Sequence, residues 1–179
     1  MDVRGEAAEH PLPELTWRPM RAGDLDAVVR VAAAGFPDHF EDRGCFENRL
    51  DLYPRGCFVL ARDGGEAVGY LIAYPWVRAA APALNNRIAA LPEAPELIYL
   101  HDLALAPDAR GGGHAAPIVE RLADQARADG WTEMALVAVN GAAPFWERRG
   151  FVVIETPALA AKLRSYGPDA RYMVRRLQA

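Results

Sequence analysis

Cysteine is scarce: the 179 residues hold two, Cys45 and Cys57. One falls in a predicted helix and the other in a predicted strand, and their spacing fits neither a disulfide framework nor a zinc pattern. Both are read as buried structural thiols, and no metal is expected. No apolar run approaches the roughly 18 residues of a membrane span, so no membrane partner is expected. No Lys/Arg run exceeds two residues and the formal net charge is −4, so the basic patch of a nucleic-acid binder is missing. The opening "MDVRGEAAEHPLPE" lacks the basic start and apolar core of a secretory signal. A cytoplasmic protein is expected. What is present is 51% hydrophobic and 25% charged residues, in a length that supports one buried core and is short for two.

Residues 1–14 are polar, carry two prolines and read as a loose leader before a single domain over 15–179. "LTWRPM" is a short strand. Asp24 sits where an N-cap belongs, and Leu25, Val28, Val29, Ala32 and Phe36 then recur at helical spacing. "FPDHFEDRG" is a loop and "CFENRLDLY" a second helix. Asp63-Gly64 joins "CFVLARD" to "EAVGYLIAYPWV" as a hairpin. Residues 78–95, rich in Ala and Pro, read as a partly helical insertion covering something. "ELIYLHDLAL" is a strand. Ala115, Ile118, Val119, Leu122 and Ala126 then make one helical stripe that Gly130 ends. "MALVAV", apolar on both parities, is a central strand; "APFWERRG" is a short helix, and "FVVIE" and "RYMVRRL" are strands. This order gives an α/β (α+β) domain: a mixed, mostly antiparallel sheet with helices on both faces.

Between strand and helix stands Arg110-Gly111-Gly112-Gly113-His114. Glycine weakens a helix start relative to Asn, Asp or Ser, so bare backbone must serve another purpose there. A helix N-terminus offers about four unpaired N–H groups and the positive end of the dipole, and glycines let an anion approach them. A Walker A loop is excluded, because no Lys-Ser or Lys-Thr follows. "GGGHAA" formally satisfies the dinucleotide fingerprint G-x-G-x-x-A, but "APDAR" separates it from its strand. No acidic residue ends the next strand, where Asn140 stands. An NAD(P)-binding oxidoreductase is therefore a remote alternative.

Arg110-x-x-Gly113-x-Ala115 after "LALAP" resembles the pyrophosphate-binding motif of the GNAT superfamily of N-acetyltransferases. "VNGAAPFWERRGF", 139–151, resembles that family's second signature. The resemblance covers about residues 15–177 and implies a GNAT-like fold with acetyl-CoA as donor. By that resemblance Gly111, Gly112, Gly113, His114, Ala115 and Ala116 bind the pyrophosphate with Arg110 beside them. Leu103, Ala104 and Leu105 meet the pantetheine arm, with an N–H near Leu103 facing the thioester oxygen. Asn140, Phe145 and Trp146 line its other side. Pro117 departs from the pattern and implies a helix that starts late or bends.

Acetylating an amine requires the neutral form, whereas a lysine-like amine has a pKa near 10.4. Alternation places Tyr99, His101, Leu103 and Leu105 on one strand face unless a bulge intervenes, with Asp102 opposite in a salt bridge or cap. His101 is the expected base or proton relay. In the arylalkylamine N-acetyltransferase branch two histidines occupy the places of Tyr99 and His101, so this chain resembles that branch at His101. The family's usual acid, a Tyr, is replaced by Trp146; Tyr99, Tyr166, Tyr172 or water remain as proton donors. "FPDHFEDR" and residues 78–95 form the acceptor site, with Phe36, Phe40, Trp76, Tyr99 and Trp146 as wall. These aromatics favour a small apolar or aromatic amine. His10 and His39 carry no signal. The alternative function is a non-catalytic CoA-binding sensor, and a homodimer is left open.

Overall fold

The structure, a computed structural model, describes residues 12–178. The expected leader thus lies largely outside the described residues, though Glu14 already exchanges hydrogen bonds with Asp63 (Asp63 N–H to Glu14 O 2.8 Å; Glu14 N–H to Asp63 Oδ1 3.0 Å). The strands are β1 (Leu15–Pro19), β2 (Cys57–Arg62), β3 (Ala67–Trp76), β4 (Leu97–Leu105), β5 (Glu133–Ala138), β6 (Val152–Val153) and β7 (Arg171–Arg176). The helices are α1 (Leu25–Gly35), α2 (Arg43–Leu52), α3 (Ala115–Ala128), α4 (Ala143–Glu147) and α5 (Pro157–Leu163). One sheet runs β1-β2-β3-β4-β5-β7-β6, antiparallel except where β5 lies parallel to β4. Among the described residues no helix is long and apolar enough to cross a membrane.

Each sheet face has its own core. On one, Val28 and Val31 of α1, Phe46 of α2 and Leu159 of α5 bury against Tyr70, Tyr74, Leu97 and Tyr99. On the other, Ile118, Val119 and Leu122 of α3 and Trp146 of α4 bury against Leu71, Ile98, Leu100 and Leu136. Burying a side chain of the Val, Leu or Ile kind is worth about 1.5–3 kcal/mol, so the α3 stripe alone fixes that helix on the sheet. The hairpin is as expected: Asp63 and Gly64 both take positive φ (45° and 72°), the requirement of a tight twisted turn.

Several expectations need correction. Asp24 stands at the N-cap position of α1, as expected, but its side chain accepts from no N–H of that helix. The chain has already turned at Ala22–Asp24, and the Asp24 carboxylate is taken by the Arg18 guanidinium (2.7 and 2.8 Å) and the Arg21 N–H (2.8 Å). Residues 78–95 contain no helix. They are instead pinned across α2: Asn48 exchanges two hydrogen bonds with the Ile88 backbone (2.8 and 2.9 Å), and Arg49 donates to Asn86 O at 2.6 Å. α3 begins at Ala115 without delay. Pro117 is then its third residue, where an N–H would have no helical partner in any case. α5 was not foreseen; Thr156 caps it by accepting from Leu159 N–H at 3.1 Å.

Candidate active site

β4 and β5 pair only at Ile98–Met134 and Tyr99–Ala135. Beyond Tyr99 the two strands part, and β4 loses its ladder on that edge while keeping β3 on the other. The gap opens into a cavity of about 440 Å³. Its wall draws on both sheet faces. Leu103, Leu105, Arg110, Ala115, Asn140, Phe145 and Trp146 come from the α3 side. Phe36, His39, Leu84, Tyr99, His101, Asp102 and Tyr166 come from the α1 side.

Most residues assigned by resemblance to the donor therefore meet along one wall, Ala104 included. Gly111, Gly112, Gly113, His114 and Ala116 stand outside that wall, in the turn leading into α3 and its first residues. Gly111 (φ 81°) and Gly113 (φ 74°) have open space where a Cβ would stand. His114 leaves its carbonyl to the Trp17 indole N–H at 2.8 Å, and its ring lies over Gly112, where a Cβ would come within 2.7 Å of Nε2. Bare N–H groups at the start of a 14-residue helix beside empty space suit an anion. Asn140, held at φ 54°, closes the β5 side.

The parity expected along β4 fails because of one extra residue. Ile72 pairs with Asp102 but Ala73 with Leu100, so His101 is an unpaired bulge. From there on the faces exchange. Asp102 and Ala104 join Tyr99 on the α1 side, while Leu103 packs toward α3. Asp102 is thus not opposite His101. Asp102, His101 and Glu41 offer ligand atoms all within 4.8 Å of one another.

This cluster is buried and strongly bonded. His101 Nε2–H donates to Glu41 Oε1 at 2.6 Å, and its Nδ1 lies 3.2 Å from the Tyr74 hydroxyl. Tyr70 O–H donates to Asp102 Oδ2 at 3.0 Å. Behind Glu41 stands the fully buried Arg49, 4.0 Å from Oε2. Burial opposes the charge on Glu41, but His101 and Arg49 outweigh it and hold the carboxyl below the usual carboxylate range. Burial likewise opposes a charged His101, yet the Glu41 carboxylate raises the imidazole's pKa. Asp102 goes the other way: burial, aided by the Glu41 charge, pushes it up to about 6. Such a trio has the size of a metal site, but the Arg49 guanidinium beside it opposes a further cation.

Both ring nitrogens of His101 are engaged inside the protein, by Glu41 and by the Tyr74 hydroxyl, so it offers the cavity no free lone pair. Tyr99 lines the cavity beside Tyr166, and burial raises both phenols well above their ordinary range. Tyr172 lies elsewhere, accepting from Ala79 N–H at 3.0 Å. Of the aromatics expected around the acceptor, Phe36, Tyr99 and Trp146 line the wall. Phe40 is exposed on the surface, and Trp76 packs edge-on against Tyr74, so neither contributes.

Glu41, Arg49, Tyr70, Tyr74 and His39 were missed. Glu41 does lie in the "FPDHFEDR" segment, but nothing local to that loop shows that it reaches β4, 60 residues on. His10 lies outside the described residues. Both cysteines are buried and free.

Several solved structures resemble this one in fold. Ard1 from Thermoplasma volcanium superposes with a TM-score of 0.71 at 16% identity, covering 92% of this chain and 99% of that one. YhbS from Escherichia coli, a GNAT family N-acetyltransferase in complex with CoA, gives 0.59 at 18%, covering 94% and 84%. N-acetylglutamate synthase from Neisseria gonorrhoeae, complexed with coenzyme A and N-acetyl-glutamate, gives 0.66 at 19%. The match covers 93% of this chain but 36% of that one, so this chain spans about a third of that enzyme's length. At such identities the likeness is one of fold. A search of curated proteins finds no match. The sequence itself matches the Acetyltransferase (GNAT) family over residues 15–151. That span runs from β1 to the end of α4 and contains the parted strands, the glycine turn and the Glu41–His101 pair: the chain belongs to the GNAT family of acetyltransferases.

Proposed function

We propose that this chain transfers acetyl from acetyl-CoA to the primary amine of a small molecule by direct attack in a ternary complex. One observation carries the reading. A single cavity is lined on the α3 side by the parted strand and the residues around the glycine turn, and on the α1 side by a buried proton-accepting cluster.

The donor's pyrophosphate fits the open space at Gly111 and Gly113, under the N–H groups that begin α3. Its pantetheine arm fits the edge of Leu103–Leu105 that β5 leaves unpaired, against Asn140, Phe145 and Trp146. A backbone N–H near Leu103 meets the thioester oxygen as negative charge develops there. The amine nitrogen bonds to the thioester carbon, the C–S bond breaks, and the thiolate leaves with the electron pair. The amine's surplus proton passes to the Asp102–His101–Glu41 cluster, in which His101 is the relay. Trp146 is no acid in this range, and the Tyr99 phenol, on the same cavity wall, gives the thiolate its proton. A thiol pKa of about 8.5 asks little of an acid. The aromatic wall and His101 favour an arylalkylamine-like acceptor.

Trp146 in place of the expected Tyr is the one observation that favours a CoA sensor without turnover. Melting curves and thiol release across a panel of amines decide. Acetyl-CoA should stabilise the fold by about 2.7 kcal/mol at a hundredfold excess over its dissociation constant, NAD should not, and amines should release free CoA. Stabilisation with no release from any amine would establish the sensor. Stabilisation by NAD alone would remove the donor assignment.

A further inference from the structure

The cavity's acceptor side has an unusual polarity. Its polar wall groups include Asp102, His101 and His39, and no Arg or Lys stands among them. His39 Nε2 lies 2.6 Å from the Tyr166 carbonyl oxygen, which can only accept, so that nitrogen carries the proton. In the neutral ring Nδ1 is then a bare lone pair, and it is buried without a partner. The charge of Glu41 is engaged by His101 and Arg49. Asp102 forms no ion pair among the described residues. The Tyr70 hydroxyl holds one of its oxygens and leaves the other for a ligand. Among the described residues, Arg110 is the single Arg or Lys on the cavity wall. It stands at the glycine-turn end and spends its Nε–H on Leu105 O at 3.0 Å. The remaining acceptor wall is carbon: Phe36, Leu84 and the rings of Tyr99 and Tyr166.

We propose that Asp102 is the ammonium receptor of the acceptor site, and that its charge excludes carboxylate-bearing acceptors such as free amino acids. The acceptor class is a cationic amine with an apolar or aromatic body and no acid group. This inference rests on the acetyl-transfer reading above. It follows from the bulge: without the extra residue at His101, Asp102 would face α3 and the acceptor side would have no charge of its own. An amine entering as the cation meets one carboxylate and one lone pair, both acceptors. An α-amino acid brings a second carboxylate within a few ångströms of Asp102, with no guanidinium or ammonium there to receive it, and a buried unpaired charge is strongly disfavoured.

The test uses matched pairs that share a body and differ by the carboxylate: 2-phenylethylamine with phenylalanine, tyramine with tyrosine, tryptamine with tryptophan. For the purified protein with acetyl-CoA, kcat/KM should favour the amine at least 100-fold in every pair that reacts. Asp102→Asn keeps the shape and the Tyr70 contact. It should raise the KM for the amine at least tenfold and leave acetyl-CoA affinity unchanged. Inhibition by 2-phenylethanol, an uncharged compound of the same shape, should be unaffected; a merely structural defect would weaken it as well. An amino acid used as well as its amine overturns the proposal, as does an unchanged amine KM in Asp102→Asn. A panel in which no amine reacts, although acetyl-CoA still stabilises the protein, also overturns it. Failure of acetyl-CoA to stabilise the protein instead strikes the donor assignment beneath it.

Discussion

His101 owes its place to one inserted position in β4, and its chemistry to a loop 60 residues earlier that supplies Glu41. A histidine hydrogen-bonded at both nitrogens cannot act as an isolated base; in the proposed reaction it serves as a relay through Glu41, to which its Nε2 is bonded. A positioned general base contributes about 10²–10⁴ in rate. His101→Gln keeps hydrogen bonding but carries no proton, and should lower kcat about 100-fold or more with acetyl-CoA affinity nearly unchanged. Glu41→Gln removes the anion that raises the imidazole's pKa, and the acid limb of kcat/KM should shift to lower pH. Steady-state kinetics across pH 5–9 measure both. If His101→Gln retains most of the wild-type kcat, the proton leaves through water and the ring only packs.

Around α3 the physics is local, and it was legible. The stripe from Ile118 to Ala126, the glycines ahead of it and Gly130 behind it can all be read from spacing and residue type. The same holds for the Asp63-Gly64 turn and the double-sided burial of β5. What could not be read depends on distant partners. The β4 bulge is a mismatch of register with β3, invisible in either strand alone. The N-cap position of Asp24 could be read but not the partners of its carboxylate, which answers to Arg18 on β1. Residues 78–95 hold a fixed path through hydrogen bonds to Asn48 and Arg49, which no periodicity records. The two glycines that bound α3 allow a controlled test of its N-terminus. Gly113 and Gly130 both hold positive φ (74° and 87°) with open space at the Cβ position. Alanine at either should cost about 1–3 kcal/mol of backbone strain. Only Gly113→Ala should weaken acetyl-CoA binding, by tenfold or more in calorimetry. Equal weakening by both, or by neither, would separate the helix start from the pyrophosphate.

For the molecule as a whole, the cluster is a cost to folding as well as a site. Asp102 has its pKa raised from 3.8 to about 6 by folding, so its contribution to stability is complete below 3.8 and lost as pH rises through about 6. His101 is also raised above 6.5, so its share, present below 6.5, is lost as pH climbs through its folded value. Glu41, lowered, contributes above 4.5 and loses its share only in more acid solution. The melting temperature should therefore decline from about pH 5 through pH 6 as Asp102 ionises, and further as pH climbs through the folded value of His101; Asp102→Asn should flatten the lower part of that decline while impairing amine binding. Thermal unfolding at pH 5, 6, 7 and 8 checks this, and a variant no more stable than the parent at pH 8 would count against a charged Asp102. The parting of β4 from β5 has a further consequence, since the cleft it creates draws its walls from both faces of the sheet. In the proposed reaction the donor and the amine reach the reacting atoms from different faces of the sheet, so each should bind when the other is absent. Calorimetry with acetyl-CoA alone and with the amine alone checks this, and an amine that binds only after acetyl-CoA would show that one face completes the other.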